Sequence, residues 1–290
     1  MAETRRAAVL GRPVGHSLSP LLHRAAYEAL GLHGWTYEAV EVDEQALPGV
    51  LAGLDDGWAG LSLTMPLKQA VLPLLDEAEA TVHVTGACNT VVVRAGGDGT
   101  RRLLGANTDV DGIVRAVQEA GGGAAGAPAA PVAHVLGGGA TAASAVLALQ
   151  RLGCPAPVVH VRDPARAGAV LAAAARCGSA VDLQPWPATP GLAAALAAAD
   201  VVVATTPAGT TTAVAEAMPA AVTGTLLDVA YEPWPSALAA RWSAAGGAVA
   251  PGSLMLLHQA AVQVRLMTGR EAPLSAMRVA LARVRAEITP

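Results

Sequence analysis

The sequence predicts an α/β protein of two domains. Three observations predict it. Over about the first 105 residues, short β-like runs alternate with amphipathic stretches, the pattern of a parallel sheet with helices packed on it. A Gly/Ala-rich stretch, Gly121–Ala130, then has the composition of a surface connection. Beyond it a fresh βαβ pattern begins, with glycines between its first strand and first helix.

A chain of 290 residues exceeds the usual size of one domain and fits two. Its 53% hydrophobic content is swollen by alanine runs such as Ala172–Ala175 and Ala193–Ala199, which favour helix and bury little. Asp, Arg, Gly or Pro interrupts every apolar stretch before the ~20 residues a membrane span needs. The charged start Met1–Arg6 precedes only a short apolar piece, so no signal-peptide core is expected and the cytoplasm is the expected compartment. Cys88, Cys154 and Cys177 are odd in number and lack metal-ligand spacing, which predicts reduced packing residues, no disulfide framework and no metal site. A net charge of −4 without a Lys/Arg cluster predicts no nucleic-acid partner. The expected partner is a small molecule; a homodimer is compatible with this reading.

In the first half, strands are predicted at Ala7–Leu10, Thr36–Val42, Gly60–Leu63 and Asn89–Arg94, and helices at Leu21–Leu30, Glu44–Leu54 and Leu67–Pro73. Ser19 before Pro20 reads as an N-cap with proline in the first helical position. In the second half, strands are predicted at Ala133–Leu136, Pro157–Val161, Val201–Thr205, Thr225–Val229 and Ala248–Ala250, with alanine-rich helices between them. From Ser253 onward one or two helices are expected to return to the first domain. The predicted boundaries are 1–106 for the first domain, 107–250 for the second and 251–290 for the closing helices.

Between Val135-Leu136 and a helical run to Leu152 stands Gly137-Gly138-Gly139-Ala140-Thr141-Ala142, a G-x-G-x-x-A in the strand–turn–helix context of a dinucleotide fingerprint. Its first glycine makes the tight turn and its second admits the pyrophosphate. The helix N-terminus offers N–H donors to an anion. About twenty residues on, Arg162-Asp163-Pro164-Ala165-Arg166 follows the next strand. An acid there suits the ribose hydroxyls of NAD and an arginine the 2'-phosphate of NADP. With Arg162 first and Arg166 one turn later, NADP is favoured and NAD stays open. Asp163 ahead of Pro164 also fits a helix N-cap with no ligand role.

In the first half, polar residues stand where glycine or proline breaks the chain beside predicted strands, the loops where α/β proteins build sites. They are Ser17 and Ser19 in GRPVGHSLSP, Thr64 and Lys68 in GLSLTMPLK, Asn89 and Thr90 in GACNT, and Asn107, Thr108 and Asp109 in GANTDVDG. Taken in this order with the Gly137 turn, DVVVATTPAG from Asp200, DVAYEP from Asp228 and GSLMLLHQA from Gly252, they resemble the shikimate dehydrogenase family over nearly the whole chain.

That resemblance implies an N-terminal α/β substrate domain, a C-terminal NAD(P)-binding Rossmann domain and a site in the cleft between them. The implied reaction is reversible NADPH-dependent reduction of 3-dehydroshikimate to shikimate, in aromatic amino acid biosynthesis. Carried over by position, Ser17 and Ser19 would bind the carboxylate, and Thr64, Asn89, Asp109 and Gln259 would surround the ring hydroxyls, with Tyr231 a further substrate contact. Lys68 would be the proton donor in reduction and the base in oxidation, with Asp109 its partner, because a ketone receiving hydride becomes an alkoxide that needs a proton. The cofactor set comprises Gly137, Gly138, Gly139, Ala140, Thr141, Arg162, Asp163, Arg166, Thr205, Thr206, Pro207, Val229, Gly252 and Met255. His16, His258 and Arg24 read as structural.

The chain departs from the family pattern in five places. Ser62, Ala204 and Arg24 stand where asparagine is usual, Val161-Arg162-Asp163 replaces Asn-Arg-Thr, and Ala143 stands where a basic residue is frequent. The rival readings are an NAD-preferring quinate/shikimate dehydrogenase or relative acting on another hydroxylated ring, and a nicotinamide-binding sensor without turnover.

Overall fold

Ala7, Ala8, Val9 and Leu10 are all buried, so the first strand is covered on both faces and lies inside its sheet rather than at an edge. The computed structural model of the chain describes residues 4–95, 100–121, 131–186 and 190–288. Its contacts resolve into two compact units, Met1–Thr108 with Leu257–Pro290, and Asp109–Leu256. Residues 122–130 of the predicted connection lie outside the described residues.

The first unit holds β1 (Arg5–Gly11), β2 (Trp35–Glu41), β3 (Trp58–Leu63), β4 (Glu77–Ala78), β5 (Thr90–Ala95) and β6 (Arg101–Ala106), in the spatial order β2-β1-β3-β5-β6-β4. β1 pairs in parallel with β2 and β3, as the alternating pattern predicts. The expectation of a parallel sheet fails beyond β3, because β5 runs antiparallel to both β3 and β6. Only five residues join β5 to β6, too few for a parallel crossover. Neither β4 nor β6 is evident in the sequence: β4 has two residues, and β6 begins with two arginines and contains no β-branched residue.

The helix Ser19–Ala29 buries Leu22, His23, Ala26 and Tyr27 along one stripe. Tyr27 packs with Ala7, Val9 and Tyr37 on one face of the sheet, while Ala8, Leu10, Leu61 and Val91 fill the other. Ser19 is not the N-cap: Leu18 holds that place without a side-chain hydrogen bond, and the Ser19 N–H donates to Ser17 Oγ (3.3 Å). The helix expected over Glu44–Leu54 is confined to Leu47–Ala52, because the preceding turn is closed by Asp43, whose Oδ1 accepts from Ala46 N (3.0 Å). Leu67–Pro73 divides into a single helical turn, Leu67–Ala70, and a 3-10 turn, Leu72–Leu74. The chain closes with helices Gly252–Thr268 and Leu274–Ile288, and the latter packs on Ser19–Ala29. No described helix is long and apolar enough to cross a membrane.

The second unit holds β7 (Ala133–Leu136), β8 (Val158–Val161), β9 (Asp182–Pro185), β10 (Val201–Ala204), β11 (Thr225–Asp228) and β12 (Ala248–Pro251). Their order is β12-β11-β10-β7-β8-β9 and every pairing is parallel. This is the doubly wound Rossmann arrangement, and its strand order reverses between β7 and β10, where such sheets place their ligands. Cys88 and Cys154 are buried and Cys177 is half-buried, all three as free thiols.

Two glycines give opposite expectations for stability. A methyl on Gly224 would run into the Ala199 carbonyl oxygen and stand 2.9 Å from that of Asp200, so Gly224→Ala should cost about 1–3 kcal/mol. Gly49 is helical and a methyl there would meet nothing within 4 Å, so Gly49→Ala should add about 0.5–1 kcal/mol. Urea unfolding of both variants checks this; a neutral Gly224→Ala would contradict the backbone clash.

Candidate active site

The carboxyl ends of β1 and β3 are laced together. Thr64 N donates to Leu10 O (2.9 Å) and Arg12 N to Met65 O (3.0 Å). Gly11 sits at the crossing, where a side chain would overlap Thr64 Cγ2 and press on Met65 O, so close backbone approach requires glycine there. Thr64 O accepts from Leu67 N (2.8 Å), opening the helical turn that carries Lys68. Lys68 O in turn accepts from Cys88 N (2.8 Å), and Leu63 N donates to Asn89 O (2.7 Å). Backbone hydrogen bonds alone therefore gather Thr64, Lys68 and Asn89 at one sheet end. Lys68 and Ser17 are half-buried, and Ser19, Asn89 and Gln259 are buried.

Asn89 is the centre of a polar cluster. Its Oδ1 accepts from Thr90 Oγ1 (2.8 Å), Thr108 N (2.9 Å) and Thr108 Oγ1 (3.2 Å); its Nδ2 donates to Thr108 Oγ1 (2.9 Å) and Gln259 Oε1 (3.3 Å). Asp109 follows Thr108 directly and opens the helix Asp109–Ala120 of the second unit. Thr108, marked in the sequence among the polar loop residues of the GANTD segment, is thus a member of the cluster.

Beneath this cluster runs a second layer. Tyr37 Oη donates to Ser62 Oγ (2.6 Å), Ser62 Oγ to Gln263 Oε1 (2.9 Å), and Gln263 Nε2 to Thr90 Oγ1 (2.9 Å) and Asn89 O (3.3 Å). His23 Nε2 donates to Gln263 Oε1 (3.2 Å), its Nδ1 faces Tyr27 Oη (3.4 Å), and its ring stacks on Tyr37 with centroids 4.0 Å apart. Tyr37 and Gln263 were not singled out in the sequence; one helical turn from Gln259 was the available signal. Arg24 is structural as expected, its Nε donating to Tyr37 O (2.9 Å).

The cofactor candidates share the second unit. Gly137 has φ +124°, and a side chain there would collide with Thr205 Oγ1. Thr205 is itself fixed on Leu136 O through its N (2.8 Å) and Oγ1 (2.9 Å). Nothing stands within 4 Å of where a Gly139 side chain would be, and Gly139 caps the helix Ala140–Arg151 without a side-chain hydrogen bond. The first N–H groups of that helix, from Ala140 and Thr141, thus face no capping side chain, the arrangement a pyrophosphate uses. Val229 N donates to Ala204 O (3.0 Å), and Gly252 approaches Val229 so closely that a side chain would strike its carbonyl. Thr206 and Pro207 follow on from Thr205, and Met255 is buried on the helix begun by Gly252. Arg162 and Arg166 are exposed, and among the described residues neither is in an ion pair. Asp163 serves as an N-cap, its Oδ1 accepting from Ala165 N (3.0 Å) ahead of the turn Pro164–Arg166.

Tyr231 lies in a segment held by Asp228, whose carboxylate accepts from Ser236 Oγ (2.5 Å) and Ala230 N (3.1 Å). Burial pushes the Asp228 carboxyl upward; burial and the nearby Glu232 charge raise the Tyr231 phenol.

The shikimate dehydrogenase substrate binding domain profile matches residues 9–91, and the shikimate 5'-dehydrogenase C-terminal domain profile matches residues 252–281. The shikimate dehydrogenase (NADP(+)) of Moorella thermoacetica is 36% identical over 281 residues, covering 95% of this chain and 92% of that protein. The chain belongs to the shikimate dehydrogenase family. A second family member, from Rubrobacter xylanophilus, is 35% identical with 96% of each chain covered. The crystal structure of the Mycobacterium tuberculosis shikimate dehydrogenase superposes with a TM-score of 0.84 at 43% identity, covering 96% of this chain and 99% of that one. The Thermus thermophilus family enzyme, solved in complex with NADP(H) and shikimate, gives 0.77 at 34% identity, over 97% and 99%.

The buried layer predicts an acid sensitivity. Desolvation lowers the His23 pKa from its ordinary 6.5 to about 4, against a raising effect of the Gln263 hydrogen bond. Between those values the unfolded chain binds more protons than the folded one, so stability is present above pH 6.5 and lost as pH falls towards 4. The loss assigned to His23 is about 3 kcal/mol. Comparing urea unfolding at pH 7 and pH 4 should show His23→Gln losing less stability on acidification by about that amount. An identical pH dependence in both proteins would contradict a neutral buried His23.

Proposed function

We propose that this chain is an NADP-dependent shikimate dehydrogenase, reducing 3-dehydroshikimate to shikimate and running the reaction in reverse. The observation that carries the reading is the buried Asn89–Thr108–Gln259 cluster, with Thr64 and Lys68 at the same sheet end, in a chain matched along 95% of its length by a protein of that activity.

Reduction of a ring ketone leaves negative charge on oxygen, and the protein must supply a proton. Lys68 gives that proton in reduction and takes it back in oxidation, and Asp109 is the carboxylate partner in the relay. Thr64, Asn89 and Gln259 hold the ring hydroxyls. Asn89 Oδ1 is filled by Thr90 and Thr108, and both Nδ2 protons by Thr108 and Gln259, so a ring hydroxyl meets Asn89 as a donor by displacing one of the two Nδ2 acceptors. Ser17 and Ser19 take the carboxylate, and Tyr231 is a further substrate contact. Neutral donors orient the ring, whereas the charged lysine moves the proton.

Bound NADPH supplies the hydride. The residues present fit it: Gly137 makes the tight turn against Thr205, Gly138 packs against Val161, Gly139 leaves open space for backbone approach, and Ala140 and Thr141 offer N–H groups to the pyrophosphate. Arg162 and Arg166 read the 2'-phosphate, and Asp163 acts through its cap on Ala165 N. Thr205, Thr206, Pro207, Val229, Gly252 and Met255 complete the cofactor side.

Absorbance at 340 nm during shikimate oxidation, with NADP and NAD in parallel, tests the reading. Rapid reduction of NADP is the expected result. Quinate preference or NAD preference would assign the chain to the related quinate/shikimate activity, and no reduction of either cofactor would leave a nicotinamide-binding sensor.

Lys68→Ala should lower kcat by about 10² to 10⁴ with little change in cofactor affinity. Combined with Asp109→Asn, the losses should be far from additive, because the two act as one relay; near-normal turnover of Lys68→Ala would remove it from the chemistry. Arg162→Ala should weaken NADP about 10-fold or more relative to NAD, the scale of one charge-assisted phosphate contact. Equal losses for both cofactors, measured by fluorescence titration, would deny it the 2'-phosphate role.

A further inference from the structure

Gln263 lies one turn beyond Gln259 on the helix Gly252–Thr268 and is 1% exposed. All four of its side-chain hydrogen-bonding positions are used. Oε1 accepts from Ser62 Oγ (2.9 Å) and His23 Nε2 (3.2 Å), and Nε2 donates to Thr90 Oγ1 (2.9 Å) and Asn89 O (3.3 Å). Turning this amide over would set its oxygen against the Asn89 carbonyl, which can only accept, a buried mismatch.

Its orientation propagates. Tyr37 donates to Ser62 (2.6 Å), so the Ser62 proton goes to Gln263. Thr90 accepts from Gln263, so the Thr90 proton goes to Asn89 Oδ1 (2.8 Å). With Thr108 N on the same oxygen (2.9 Å), Asn89 Nδ2 is turned towards Thr108 and Gln259.

We propose that Gln263 is a positioning residue for substrate: through Thr90 it fixes the Asn89 amide with Nδ2 turned towards Thr108 and Gln259, the side on which a ring hydroxyl meets it. This inference rests on the substrate reading above.

Gln263→Met keeps the side-chain length and removes all four bonds. The expected result is a shikimate KM raised about 10- to 100-fold, the cost of losing one or two oriented hydrogen bonds, with kcat changed less than about 5-fold. NADP affinity by fluorescence titration should be unchanged. A shikimate analogue lacking one ring hydroxyl should be discriminated against less by the variant than by the wild type, because Asn89 is no longer held as a donor. In Gln263→Glu, KM should improve as pH falls and the carboxyl gains a proton to donate to Thr90; the wild type should lack that dependence. Wild-type KM and wild-type analogue discrimination in Gln263→Met would overturn the proposal. Should Gln263→Met fail to fold, Thr90→Val breaks the link to Asn89; a raised KM supports the proposal and wild-type KM overturns it. Wild-type protein inert towards shikimate would defeat the substrate reading itself, whereas an active wild type with indifferent variants defeats this inference alone.

Discussion

The requirement that a buried amide find all its partners organises the first unit. Asn89 is 2% exposed, where each unmade hydrogen bond costs on the order of 1–3 kcal/mol. Its N–H donates to Ala106 O (3.2 Å), its carbonyl accepts from Leu63 N (2.7 Å), and its side chain is shared among Thr90, Thr108 and Gln259. Satisfying it joins β3, β6 and the helix Gly252–Thr268 at one point. Thr64 and Lys68 inherit their places from the same strand ends, so the positions of these two side chains and the satisfaction of this amide are one constraint.

How much of this was legible depended on how local the demand was. The Gly137 turn could be read directly because strand, turn and helix are contiguous and the need for positive φ falls on one residue. β1 was equally plain as a short apolar run. The antiparallel half of the first sheet was hidden: β6 carries Arg101 and Arg102 on an exposed end, and nothing in its composition marks a strand. Ser19 has every local mark of a cap, yet Leu18 holds the cap position and Ser19 is buried as the first helical residue, a tertiary placement that outweighs local preference. The second layer was out of reach for a related reason: Ser62 and Gln263 are 201 positions apart, and His23 and Gln263 are 240 apart. Periodicity places such residues on a buried face but cannot say which of them meet.

The departures from the family pattern have structural accommodations. Ser62 is short, and the space and hydrogen-bonding capacity around it are used by Tyr37 and Gln263. Asp163 is occupied by Ala165 N, which leaves the two neighbouring arginines outside any described ion pair. Ala143 and Ala204 are fully buried, one inside the helix after the glycine turn and the other at the end of β10. A long basic side chain at the first would have to leave the core, and nothing in the structure explains why alanine stands at the second.

The one-way hydrogen-bond relay also bears on how this site can change over generations. Tyr37, Ser62, Gln263 and Thr90 each give a proton to the next and take one from the last, so altering a single member strands a buried donor or acceptor in its neighbour. Viable routes to another ring specificity therefore pass through paired replacements. Lineages that trade the serine for a bulkier amide should carry a compensating change at the glutamine, making these four positions drift as one inherited block.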